Sequence, residues 1–247
     1  MLNKFIANLV NLSVTVALLS MSISTYAGNN FNDEINALMK PWANSDAPGA
    51  AIAVRIDGQS VFERGYGLAN LEYEVPMRSD TPTQVGSISK QFTAFAVLQL
   101  IDAGELEFDT NIQTLLPEMK KPPRPILVRH LLDHVSGLRD ESTLASMAGW
   151  REDDAIVQEQ IFNLVAQQEG VNFLPGAEFQ YNNSNFLLLA MIVERVSGRS
   201  FSDFTQEHIF RPLGMKKSWF ADDRFAVIKG QAYSYYRTQN GLSLIHI

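Results

Sequence analysis

The sequence predicts an α+β protein in which a helical region interrupts an antiparallel sheet flanked by helices. Three observations carry this expectation. Two short apolar runs, Ala51 to Ile56 and Ser60 to Phe62, are joined by Asp57-Gly58, a turn pair that suits a hairpin because both central residues need positive φ. From Ser87 to about residue 210 the apolar residues recur at helical spacing. A hint of strand then returns at Gln231 to Tyr236.

At the N-terminus, residues 1–27 differ from the remainder of the chain. Lys4 is their only charged side chain, Leu9 to Ile23 is largely apolar, and Thr25-Tyr26-Ala27 puts small residues at the −3 and −1 positions of a cleavage site. This is the outline of a secretory signal peptide, so export to the periplasm or medium is expected. A membrane span wants about 20 clean apolar residues, and Asn11, Ser13, Ser20 and Ser22 interrupt this one, so no stable membrane anchor is expected once the leader is cleaved. Residues 28–247 then read as one domain.

Phe31 to Trp42 predicts a short amphipathic helix with Ile35, Leu38 and Met39 on one side, followed by the hairpin. Ile88 to Ile101 is apolar almost all round and ends near Gly104, which predicts a helix buried on most sides. Further helices are expected around 110–116, 126–134, 154–168, 184–197 and 203–210, with Gly198 and Pro212 as punctuation and the Lys121 to Pro125 run as an extended connector. The final GLSLIHI is an apolar run with nothing after it to pair with, so closing strands are expected to be missing and the chain to be truncated at its C-terminus.

Composition narrows the function. The formal net charge is −7 and no dense basic run occurs, which disfavours nucleic-acid binding. The chain has no cysteine, so disulfides, thiolate nucleophiles and cysteine zinc sites are excluded.

Three constellations could carry chemistry. Ser87 and Lys90, in VGSISKQFTA, lie three apart at the start of a helix, where side chains can meet and free backbone N–H groups favour developing negative charge. A lysine shielded there from solvent can serve as a base for the serine. The spacing alone is close to what chance supplies in a chain with 19 serines and 8 lysines, and the competing reading is a capping serine beside a solvated lysine. Tyr181, Asn182 and Asn183 follow a Pro175-Gly176 loop just before another buried helix. A catalytic Tyr181 needs a neighbouring cation, which Lys90 could supply; otherwise Asn183 or Ser184 is a helix cap and Tyr181 a packing residue. His130 and His134, at i and i+4 in HLLDH, could share a zinc ion on one helix face, against the alternative that His134 closes a short helix before Gly137.

Placed together, VGSISKQFTA, HLLDHVSGL and FQYNNSNFLLLAMIVERVSG resemble, in this order, segments of the serine β-lactamase and penicillin-binding-protein superfamily. They are most similar to its class C β-lactamase-like branch, which also holds D-peptidases and esterases; RGYGLAN ahead of Ser87 is similar as well. The resemblance spans roughly residues 31 to 236 and implies a β-lactamase-like fold. It implies that Ser87 is an acylated nucleophile, Lys90 its basic partner, Tyr181 a proton shuttle to the leaving group, and Asn183 a hydrogen-bonding partner of the substrate amide or of Lys90. The Ser87 backbone N–H would form half of an oxyanion hole, no metal or organic cofactor is implied, and His130 and His134 become structural. The chain departs from the family in having Asn182 at the centre of the Tyr-x-Asn element. It also lacks, before residue 247, a Lys- or His-containing strand ending in Gly.

The expectation is therefore an exported serine hydrolase acting on an amide or ester carbonyl in a small-molecule or peptidoglycan-like substrate: a β-lactam, a D-amino-acid peptide or a small ester. The rivals are a non-catalytic penicillin-binding-like protein or inactive fragment, and a zinc hydrolase centred on His130 and His134.

Overall fold

Asp57 and Gly58 both take positive φ, 49° and 76°, and close the first hairpin of the chain as the Asp-Gly pair predicts. The computed structural model describes residues 30–44, 46–151, 154, 156–222, 227–239 and 241–245. The expected leader peptide lies outside the described residues. These fall into two units, one holding the described residues up to Thr81 with Gly230–Tyr235, the other holding Pro82–Lys229 and the described residues from Tyr236 onward.

In the first unit, helix α1 (30–38) and a 3-10 turn at Lys40–Trp42 precede strands β1 (Ala50–Ile56) and β2 (Gln59–Tyr66). The two strands pair antiparallel from Ala50 opposite Tyr66 to Ile56 opposite Gln59, with Val61 bulged out between paired Phe62 and Ser60. Of the apolar residues expected on one side of α1 only Ile35 is buried, and Leu38 stands in solvent. A polar tie does the docking instead: Asn36 Oδ1 accepts hydrogen bonds from Tyr66 Oη (2.6 Å) and Arg64 Nη1 (3.0 Å) of β2. Strand β3 (Leu68–Asn70), wholly buried, pairs antiparallel with β4 (Val75–Pro76). Tyr235 fastens the turn between them, accepting from Leu71 N at 2.9 Å and donating to Glu72 at 2.6 Å. Strand β5 (Ser234–Thr238) is hydrogen-bonded to β6 (Gly241–Ile245), which belongs to the second unit, so the run 241–245 has a partner in the strand before it.

The second unit is helical. A 3-10 turn, Gly86–Ser89, feeds α2 (Lys90–Asp102), followed by α3 (Ile112–Leu115), α4 (Val128–Leu132), α5 (Glu141–Met147), α6 (Gln158–Ala166), α7 (Asn183–Ser197) and α8 (Phe201–Thr205). A π-turn, Gln206–Phe210, continues α8. Helix α7 runs through the core: Leu188, Leu189, Ile192 and Val193 are fully buried and share one cluster with Val97 of α2, Leu131 of α4, Phe162 of α6 and Phe204 of α8. It stops at Gly198, whose φ of 68° turns the chain out of the helix while its N–H reaches Glu194 O. Helix α2 buries Thr93, Ala96, Val97 and Leu100 but leaves Phe95 and Leu98 exposed, so it is covered on one side rather than on most. Helix α5 was not expected; Asp140 caps it by accepting from Ser142 N. Helix α4 is shorter than expected, ending at Leu132 before His134 enters the left-handed region at φ 57°.

Replacing Leu189 by Ala removes a fully buried side chain from α7 and is expected to cost roughly 2–5 kcal/mol of stability. Urea denaturation checks this as a lower midpoint with an unchanged slope.

Candidate active site

The turn that opens α2 explains how Ser87 and Lys90 come together. Gly86, at φ 52°, bends the chain into the 3-10 turn, in which residues three apart eclipse one another. Lys90 Nζ accordingly donates to Ser87 Oγ at 3.1 Å. Ser87 is exposed at the head of the turn, where the first backbone N–H groups have no partner within the helix. Its N–H thus stands where an oxyanion could be received.

The second component arrives from the turn into α7. Tyr181 Oη lies 2.7 Å from Ser87 Oγ, and Lys90 Nζ also donates to Asn183 Oδ1 at 2.8 Å. Lys90 Nζ sits 4.9 Å from the Tyr181 ring centroid and 5.6 Å from that of Phe186. All four residues of the expected site meet, and all belong to the helical unit. Lys90 is half-buried rather than shielded, its position fixed by two acceptors. The interaction with Lys90, and then the hydrogen bond with Ser87, hold the Tyr181 phenol below its ordinary value. In its ionised form, which Lys90 favours, the Tyr181 oxygen can take the proton of Ser87 Oγ while the nucleophile still faces solvent.

Asn182 supplies the support. It is 2 % exposed and caps α7, accepting from Ser184 N at 2.8 Å, while its Nδ2 donates to Leu138 O. The cap is thus neither Asn183 nor Ser184, the two residues expected. Asn183 keeps its carboxamide for Lys90, and its N–H donates to Asp140 Oδ2 at 2.8 Å. Asp140 thereby holds Asn183 and caps α5 at once, a role that sequence reasoning missed although Asp140-Glu141-Ser142-Thr143 has the pattern of a helix start. Glu141 was missed too. Burial, and then Asp140, raise its carboxyl above the usual range, while the charge on Lys90 opposes the shift.

The two histidines do not share a helix face, because α4 ends between them. His130 Nδ1 accepts from Leu127 N at 3.2 Å, and His134 Nδ1 accepts from Asn182 N at 3.1 Å, so the His134 ring grips the active-site turn while its backbone N–H donates to Leu131 O at the end of α4. Among the described residues no group of three or more His, Asp or Glu side chains is placed to hold a metal ion.

Comparison with known proteins places the chain in the serine β-lactamase and penicillin-binding-protein superfamily. Within it the chain belongs to the beta-lactamase family, whose profile, described as Beta-lactamase, matches residues 31–244. It is 32% identical over 188 residues to a D-aminopeptidase of Gluconobacter oxydans (strain 621H), which covers 76% of this chain and 35% of that protein. A D-aminopeptidase of Brucella anthropi is 34% identical over 180 residues, 73% of this chain and 34% of that protein. Among solved structures, the octameric penicillin-binding protein homologue from Pyrococcus abyssi superposes with a TM-score of 0.69 at 29% identity, over 90% of this chain and 50% of that one. The chain thus spans about a third of the length of the curated relatives it matches.

Removing the Lys90 amine should let the Tyr181 phenol rise toward its ordinary value. Spectrophotometric titration of Lys90→Met against wild type, each referenced to its own Tyr181→Phe variant, is expected to show ionisation at higher pH in the lysine variant.

Proposed function

We propose that this chain carries the acylating centre of an exported serine hydrolase that opens amide carbonyls, with D-amino-acid amides and peptides as the favoured substrate class. The observation that carries the reading is the three-way contact of Ser87 Oγ with Tyr181 Oη and Lys90 Nζ, the latter anchored by Asn183. Ser87 Oγ attacks the carbonyl carbon as its proton passes to the ionised oxygen of Tyr181, whose negative charge the Lys90 ammonium stabilises. The tetrahedral oxyanion is received by the Ser87 N–H, and collapse breaks the C–N bond as the same proton goes to the leaving nitrogen. Water then attacks the acyl ester, gives a proton to the same oxygen, and Ser87 Oγ takes it back. Asn183, while holding Lys90, also faces a substrate amide.

The substrate class is drawn from the curated relatives, which are D-aminopeptidases, and from a D-amino acid amidase of Ochrobactrum anthropi SV3, 26% identical with a TM-score of 0.70. β-Lactams and small esters use the same carbonyl chemistry and are the other substrates to assay. Export rests on the composition of residues 1–27.

Intact mass measurement after treatment with a fluorophosphonate is expected to show one adduct, mapped to Ser87 and absent from Ser87→Ala. Lys90→Ala is expected to slow labelling by about 10²–10⁴-fold. A protein that binds D-amino-acid amides equally well as wild type and Ser87→Ala, and forms no adduct, would instead be a non-catalytic binding protein.

A further inference from the structure

Tyr181 stands in a turn that must be held from behind, and the ring that holds it belongs to a residue with no part in the acyl-transfer chemistry. His134 carries a left-handed backbone, φ 57°, a region uncommon for residues other than glycine but one that histidine, like asparagine and aspartate, enters more readily than most. That conformation brings two of its groups to the same short stretch of chain. Its carbonyl accepts from Gln180 N at 2.9 Å, and its Nδ1 accepts from Asn182 N at 3.1 Å, so the residues on either side of Tyr181 are both fastened to it. Between these bonds the His134 ring lies against the Tyr181 ring, with centroids 4.7 Å apart and planes tilted by 35°.

The network also fixes which nitrogen carries the proton. Ser136 Oγ accepts from Leu138 N and donates to Asn185 Oδ1 at 2.6 Å, which turns Asn185 Nδ2 toward His134 Nδ1 at 3.2 Å. Two N–H donors, Asn182 N and Asn185 Nδ2, therefore converge on Nδ1. That nitrogen has to be a bare acceptor, with the ring proton on Nε2. Asn182 and Asn185 are both buried, so a proton on Nδ1 would leave two donors facing a third with no water to replace the lost bonds.

We propose that His134 is a positioning residue for Tyr181: its neutral imidazole, accepting the Asn182 N–H at Nδ1, holds the turn that presents the phenol to Ser87, and protonation of the ring releases it. As an effect on catalysis this rests on the acyl-enzyme reading of Ser87. The groups acting on the ring are Lys90 from α2, whose charge opposes protonation, and the exposed Asp133 beside it, which favours it; Tyr181 and Phe186 pack on it from the α7 turn. Burial first, and Lys90 second, set the imidazole below its ordinary value. The midpoint for release is therefore displaced to lower pH than that of an ordinary histidine. Asp140 acts on Tyr181, and Glu141, whose carboxyl burial raises above the usual range, interacts with Lys90, so the test has to separate His134 from these neighbours.

Two measurements do so. In a ¹H–¹⁵N NMR titration of the wild-type chain, the His134 ring nitrogens and the Asn182 amide are expected to move with one common midpoint, lower than that of an ordinary histidine. An Asn182 amide that stays still while His134 titrates overturns the inference. The second is the rate of fluorophosphonate labelling of Ser87 against pH. His134→Leu is expected to slow it by about 10²-fold across the profile, the scale of a displaced catalytic group. His134→Asn, which tolerates the left-handed backbone and offers Oδ1 in place of Nδ1, is expected to recover most of the rate and to lose the acid limb that matches the NMR midpoint. An acid limb that persists unchanged in His134→Asn assigns it to a carboxyl and also overturns the inference. If wild type is not labelled at any pH, the acyl-enzyme reading fails, and the NMR coupling alone decides whether His134 positions Tyr181.

Discussion

The hydrogen bond from Ser184 N to the buried Asn182 side chain is the contact on which the rest of the site depends. Helix α7 must satisfy its first free N–H groups, and three residues able to do so stand in a row, Asn182, Asn183 and Ser184. If Asn183 served as the cap, its carboxamide would bend back onto its own helix and Lys90 would lose one of its two acceptors. With Asn182 in that place, in an extended backbone at φ −156°, Asn183 becomes the first helical residue and its Oδ1 points at Lys90 Nζ. Lys90 is then drawn to the position from which it also reaches Ser87. A side chain that touches none of the reacting groups thus determines where they sit.

The electrostatics reflect an uneven distribution of burial. Ser87 is exposed and Tyr181 half open to solvent, so the lowering of the phenol comes from a neighbouring amine and hydroxyl rather than from exclusion of water. Behind them, burial dominates: it raises Glu141 and lowers His134, in both cases favouring the neutral form. The shifts thus favour the charged form at the phenol in front and the neutral form at the groups behind it.

The four site residues were singled out in the sequence by the resemblance of their segments to a known family, since the spacing of Ser87 and Lys90 alone is close to chance. Ser87 and Lys90 are joined by a single turn, and Tyr181 and Asn183 by the start of one helix. The Asp57-Gly58 hairpin was legible from the residues themselves, as its turn chemistry is contained in two of them. Asp140 and Glu141 were not, and His134 was singled out without its partner, because the contacts lie far along the chain: Asn183 is 43 residues from Asp140, and Asn182 is 48 from His134. Periodicity also misjudged Leu38, Phe95 and Leu98. It reports that a face is apolar but not whether anything covers that face.

The segment 134–140 and the turn at 180–185 are laced together by hydrogen bonds, among them those from Gln180, Asn182, Asn183 and Ser184. Other proteins make such long-range connections covalently, with a disulfide. This chain has no cysteine, so the whole lacing consists of peptide groups, carboxamides, a carboxylate, hydroxyls and one imidazole. Reductants and oxidants of thiols leave every one of those bonds in place. The active-site scaffold is therefore indifferent to the redox poise of its surroundings, and what it answers to instead is protonation.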